Sequence, residues 1–184
     1  MSIERSLIEH CSPTLASLKV GSLFSFRAAS CSELASQVEA LNEQLREKGL
    51  TLLLVRSFGE RVLCYLYRNS QLCGVLSDAD NAAFLRKQGY GDLDVNSVLG
   101  TLCSRLRCRE DFPHEIGLFL GYPLGDVIGF IQNKGKNCLC CGCWKAYTDA
   151  CAAQKLFAKF GKCTQVYRRL YLSGRPLHKL TVAA

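Results

Sequence analysis

A mixed α+β fold, with a small and mainly antiparallel sheet packed by many short helices, is the class this sequence predicts. Three observations carry it. Residues 50–56 and 61–68 are Leu/Val/Tyr-rich runs on either side of Ser57-Phe58-Gly59-Glu60, the pattern of a β-hairpin. Apolar residues recur at helical spacing in several separate segments, each bounded by a capping residue or a glycine. Residues 140–147 supply a third strand. No repeat, low-complexity tract or long linker interrupts the chain, and a length of 184 residues suits one domain over 1–184. At that size roughly 70% of the unfolded surface can be buried, so neither disulfide nor metal is needed for stability.

Each element has a local reason. Ser12-Pro13-Thr14 offers a cap followed by a preset dihedral, so a short helix is expected to start near Pro13. Ser32 can cap the next helix, over 32–49, in which Leu34, Val38, Leu41 and Leu45 share a face and Gly49 is the stop. After the hairpin come short helices over 70–76 and 78–88, the second ended by Gly89. A longer one over 94–107 places Val95, Val98, Leu99, Leu102 and Leu106 on one face. Two helices broken at Gly121-Tyr122-Pro123 follow: Ile116, Phe119 and Leu120 pattern the first, and Leu124, Val127, Ile128 and Ile131 the second. Beyond the third strand, Thr148 caps a helix over 149–160, and a last helix over 164–173 stops before Gly174.

Composition narrows the class further. An apolar fraction of 48% and a charged fraction of 21% are globular values. Charges near the N-terminus argue against a signal peptide, and no apolar run approaches the roughly 18 residues that span a bilayer, so a cytosolic protein with no membrane partner is expected. In that compartment the 12 cysteines are thiols, most of them acting as small buried hydrophobes. The charge of +7 is uneven: residues 127–184 carry ten Lys or Arg against one acid, Asp149, a net of +9. Such a basic C-terminal region can attract an anionic ligand or an acidic protein, or simply keep the surface solvated. Nucleic acid ranks behind both, because no zinc-finger spacing, ribonucleoprotein signature or helix-turn-helix accompanies the charge.

The run Phe112-Pro113-His114-Glu115-Ile116-Gly117-Leu118-Phe119-Leu120-Gly121-Tyr122-Pro123-Leu124-Gly125-Asp126-Val127-Ile128-Gly129-Phe130-Ile131 mixes titratable residues, glycines and prolines with large apolar side chains. Together with Cys11-Ser12-Pro13-Thr14-Leu15-Ala16, Lys19, Leu23-Phe24, Asn133-Lys134-Gly135 and Gly142-Cys143-Trp144-Lys145-Ala146-Tyr147, it resembles the bacterial domain-of-unknown-function family 3793, found mostly in anaerobic Firmicutes. The resemblance runs from end to end of the chain and implies no established activity or cofactor. An anaerobic cell also suits so thiol-rich a sequence. One departure stands out: the family pattern has a single cysteine near Cys141 and an aromatic or basic residue at the place of Cys143, whereas here Cys138, Cys140, Cys141 and Cys143 crowd together.

Four constellations could carry chemistry. The cluster Cys138, Cys140, Cys141 and Cys143 is a weak metal candidate, because an extended strand points alternate sulfurs to opposite faces and zinc sites usually space paired cysteines by two to four residues. Cys11, just before Ser12-Pro13, is a candidate thiolate at a helix N-terminus with Lys19 adding to the field, or else a packed core thiol. His114 and Glu115 are acid/base or ligand candidates, or else a wall residue and a first-turn carboxylate. The break Gly121-Tyr122-Pro123, with Gly125 and Asp126 after it, offers backbone amides and a ring to a small anionic or planar guest, or is a plain corner. Two functions follow. The first is a binding or accessory protein that holds a small anionic ligand or an acidic partner at 121–126, using Lys19, Gly121, Tyr122, Gly125, Asp126 and Lys145. The alternative is a thiol-dependent enzyme or a metal or sulfur carrier, built on Cys11 with His114 and Glu115. No phosphate loop, nucleophile elbow or dinucleotide fingerprint supports the best-marked enzyme classes.

Overall fold

The structure is a computed structural model that describes residues 2–28, 30–108 and 112–183. The remaining positions of the expected 1–184 unit lie outside the described residues. Three strands form the main sheet in the order β1-β3-β2, where β1 is Gly21–Arg27, β2 is Leu50–Phe58 and β3 is Arg61–Arg68. Both pairings are antiparallel, with Phe24 opposite Cys64 and Cys64 opposite Leu54. The expected hairpin supplies β2 and β3, and the fold is α+β as the sequence predicts.

Two corrections concern the strands. The third strand of the main sheet is β1, which the sequence reading did not assign, and not residues 140–147. Those residues make a separate tight hairpin of β4 (Cys140–Cys141) and β5 (Lys145–Ala146), with Cys140 opposite Ala146. Gly142 turns that chain back on itself, and with no longer pairing available the run cannot stay extended.

The sheet is apolar on both faces because it separates two cores. Phe24, Phe26, Leu52, Val62, Cys64 and Leu66 point to one side, where α1 (Ile3–Leu15), α2 (Cys31–Arg46) and α9 (Leu177–Leu180) pack on them. Tyr65 and Tyr67 point to the other, toward α3 (Asn69–Ser77), α4 (Ala79–Lys87), α5 (Val95–Arg107), α6 (Ile116–Phe119) and α7 (Leu124–Gln132). Val55 belongs to this second core, and a bulge between Leu54 and Arg56 brings Arg56 opposite Leu63. α8 (Ala150–Leu172) lies along α1 and also covers the 140–146 hairpin, where Trp144, Ala146, Ala153 and Phe160 form a third, smaller core.

Helix ends differ from the expectations in instructive places. α1 begins at a Ser2 cap, not near Pro13, because Ile3, Leu7, Ile8, Cys11 and Leu15 make one continuous buried stripe and Pro13 falls in its last turn. Ser30, not Ser32, caps α2, and Asp149, not Thr148, caps α8. The two expected C-terminal helices are one, since Gly161 sits on an open face of α8 where nothing presses on it. Asp78 and Asp94 cap α4 and α5 with side-chain bonds to Asn81, and to Asn96 and Ser97, respectively.

Arg68 closes the sheet's end from inside. Its guanidinium is fully buried and donates to the carbonyls of Thr14, Leu15 and Val182, each at 2.7 Å, and to that of Lys48 at 3.4 Å. These include terminal carbonyls of α1 that have no partner within the helix, so a planar cation with several donors satisfies them together. Among the described residues no helix is long and apolar enough to cross a membrane.

Candidate ligand-binding site

The helix break sits beside an open pocket of about 300 Å³. α6 ends in a left-handed residue, Gly121 at φ +78°, whose amide donates to Leu118 while that of Tyr122 donates to Gly117. This paired closure takes up the amides of Gly121 and Tyr122, and that of Asp126 donates to the Pro123 carbonyl. A Cβ on Gly121 would also stand 2.8 Å from Val20. What the corner presents is a side chain: the Tyr122 ring, stacked on Trp144 with centroids 4.9 Å apart.

Five aromatic rings stand in the pocket wall. Phe112, His114, Tyr122, Phe130 and Trp144 line it, with Ile116 and Val127 between them. His114 lies edge-on to Phe130 at 5.0 Å and is tilted against Phe112 at 5.9 Å, and Phe112 is 54% exposed at the mouth. Phe112, Phe130 and Trp144 were not among the residues singled out for binding. The signal was present, however, as the lone tryptophan and two phenylalanines inside the two motif blocks.

Lys145 brings a cation to this wall. Its Nζ donates to the Gly135 carbonyl at 2.7 Å, and among the described residues it has no carboxylate partner. Two further donors of the ammonium stay open. Asp126 also lines the pocket, but its carboxylate serves the fold. Oδ2 accepts from Trp144 Nε1 at 2.8 Å, and Oδ1 accepts from the amides of Tyr147 (2.8 Å) and Thr148 (2.9 Å) and from the Thr148 hydroxyl (2.8 Å). Burial raises the carboxyl's pKa, but these bonds outweigh it and hold the group below its ordinary value. Gly125 touches Thr148, leaving a Cβ only 2.5 Å from the threonine methyl, so it too belongs to this clamp.

The residues of the alternative reading are not brought together. Cys11 is 0% exposed inside the first core, and burial pushes its thiol well up from the ordinary range. Glu115 is buried beside the second core, where Oε1 accepts from Arg105 Nη1 at 2.6 Å and from the Tyr90 hydroxyl at 3.1 Å. Arg105 in turn stacks over the Tyr90 ring at 4.5 Å. The sheet stands between these two cores, and His114 faces the aromatic pocket instead of Cys11. Lys19 is not among the residues that line this pocket, although its Nζ lies 5.3 Å from the Tyr122 ring centroid.

The cysteine run 138–143 follows the short hairpin. Cys141 and Cys143 are exposed, while Cys138 and Cys140 are half-buried, and among the described residues no group of three or more His, Cys, Asp or Glu side chains could hold a metal ion. All eleven cysteines whose side chains are described are free thiols. A family model described as a protein of unknown function, DUF3793, matches residues 7–181. No curated protein and no solved structure matches the chain.

Proposed function

Since the chain belongs to the DUF3793 family, a description that carries no activity, its function has to be read from the pocket, and we propose that it is a cytosolic binding protein for a small aromatic carboxylate. The observation that carries this reading is the pocket itself: about 300 Å³ lined by Phe112, His114, Tyr122, Phe130 and Trp144. An apolar cavity of about 150 Å³ accepts benzene, so this space suits a substituted ring or a small bicycle. Ring-on-ring contact gives such a guest both apolar burial and geometric preference. Lys145, which meets no acidic side chain among the described residues, supplies the complement to its carboxylate.

Trp144 is the one tryptophan of the chain and stands in this wall, so its emission reports on the pocket. Titration with 3-phenylpropionate is expected to change the emission saturably, and the neutral 3-phenylpropionamide to bind about fivefold more weakly, the equivalent of ~1 kcal/mol for a partly exposed ion pair. Lys145→Met is expected to abolish that difference while leaving the amide's affinity unchanged. Absence of saturable binding by either compound would overturn the proposal. So would an acid-to-amide preference that survives in Lys145→Met, because the charge would then be read elsewhere.

A further inference from the structure

A second hollow, of about 500 Å³, shares Leu23 and Tyr122 with the aromatic pocket but lies against α1 and α8. Its lining is of a different kind. His10 comes from α1, Lys19 from the turn after it, and Gln165 and Arg168 from successive turns of α8. The single-turn offset of Gln165 and Arg168 puts both on the same helix face.

These side chains hold unused hydrogen-bonding capacity. Lys19 is half-buried, yet among the described residues its Nζ makes no ion pair and no hydrogen bond; its neighbours are the Tyr122 ring and the thiols of Cys11 and Cys143. Removing an ammonium from water without a counter-charge is unfavourable, and burial correspondingly lowers the pKa of this lysine. His10 stacks on Phe24 with centroids 5.8 Å apart, and neither its ring nitrogens nor the Gln165 amide meets a partner among the described residues. Arg168 donates from Nη2 to Glu9, which leaves its other donors open. Two cations, an imidazole and an amide thus converge on one space, with the Phe157 ring among its apolar walls.

We infer that this hollow is a second ligand site, distinct from the aromatic pocket, which binds a phosphate monoester: Lys19 and Arg168 meet its charge, His10 and Gln165 contact further oxygens, and Phe157 packs on its organic part. A phosphate fits this set better than a carboxylate. Its oxygens are arranged in three dimensions and match donors arriving from two helices and a turn, whereas a carboxylate presents two oxygens in a plane.

Calorimetric titration of the full chain with n-butyl phosphate, a monoester without a ring, and with inorganic phosphate, at ionic strength held constant with chloride, tests the assignment. Both are expected to bind at one site, butyl phosphate more tightly. Lys19→Gln is expected to weaken both about tenfold or more, with Lys19→Arg retaining part of the affinity, and Lys145→Met to leave both unchanged. His10→Ala and Gln165→Ala alter exposed positions and keep the test open should a Lys19 variant fail to fold; each is expected to weaken phosphate about threefold. Equal affinity in wild type and Lys19→Gln would overturn the inference. So would loss of butyl phosphate binding in Lys145→Met, which would assign that ligand to the aromatic pocket.

Discussion

Replacing Asp126 with asparagine asks whether the hairpin bearing Trp144 and Lys145 is held by a charge. Four donors converge on this carboxylate: the Trp144 indole on Oδ2, and two amides and a hydroxyl on Oδ1. An asparagine can turn its oxygen to only one of these sides. The better choice keeps the three donors of 147 and 148 and sets an NH2 against the indole N–H. One orphaned buried donor costs ~1–3 kcal/mol, and the remaining bonds, no longer charge-assisted, weaken as well, for a total of about 2–4 kcal/mol. Urea unfolding followed by Trp144 emission measures the difference, with the midpoint expected to fall and the slope to stay constant. The pH dependence carries a second signature. The folded carboxyl titrates below its unfolded counterpart, so its stabilisation is complete above the unfolded value of about 3.9 and disappears as pH falls through the lower, folded value. The gap between wild type and the Asp126→Asn variant should therefore be constant at neutral pH and close only in acid. A variant within ~0.5 kcal/mol of wild type at neutral pH would refute the clamp.

Three further outcomes follow from the packing. Arg68→Met takes one donor from each of three carbonyls, two of them buried, and empties a fully buried cationic position, and it is expected to lower unfolding free energy by about 2–4 kcal/mol, as read from denaturant midpoints. Gly142→Ala drives a methyl into the Phe157 ring, so the hairpin must shift; about 1–3 kcal/mol should be lost, together with a change in the emission of Trp144, which packs edge-on to Phe157 at 4.5 Å. Native-state alkylation followed by mass spectrometry should modify the exposed Cys73, Cys108 and Cys151 readily and spare Cys11 and Cys64, whose thiol burial pushes to about 12, until the protein is unfolded. Rapid native labelling of Cys11 would contradict the sealed first core and return weight to thiol chemistry.

Local signals were the legible ones. The β2–β3 hairpin, the stripe of α5 and the stop at Gly89 rest on neighbouring residues, and they fall where the sequence reading puts them. β1 was hidden because two serines interrupt its apolar residues and the adjacent Leu23 and Phe24 go to cores on opposite faces, and because its meaning is long-range. Gly21 lies so close to the next layer that a Cβ would stand 2.7 Å from the Phe119 carbonyl, which accepts from the Tyr65 hydroxyl. In the pocket, Tyr122 and Lys145 could be picked out from motif and charge, since neither depends on distant partners for its chemical character. That Asp126 is consumed by the residues 147 and 148, and that Cys11 and Glu115 belong to cores on opposite sides of a sheet, are facts of tertiary assembly that no residue spacing encodes.

Arg68 also imposes an order on biogenesis. It gathers carbonyls from residues 14, 15 and 182, so its last partner lies 114 positions downstream. While the chain is still emerging from the ribosome, that acceptor does not yet exist, and water must solvate the guanidinium edge that later faces it. Contacts so remote in sequence close late. The central strand thus waits with one side of its terminal cation wet, and the final drying of that end of the sheet belongs to the moment when the C-terminal segment arrives.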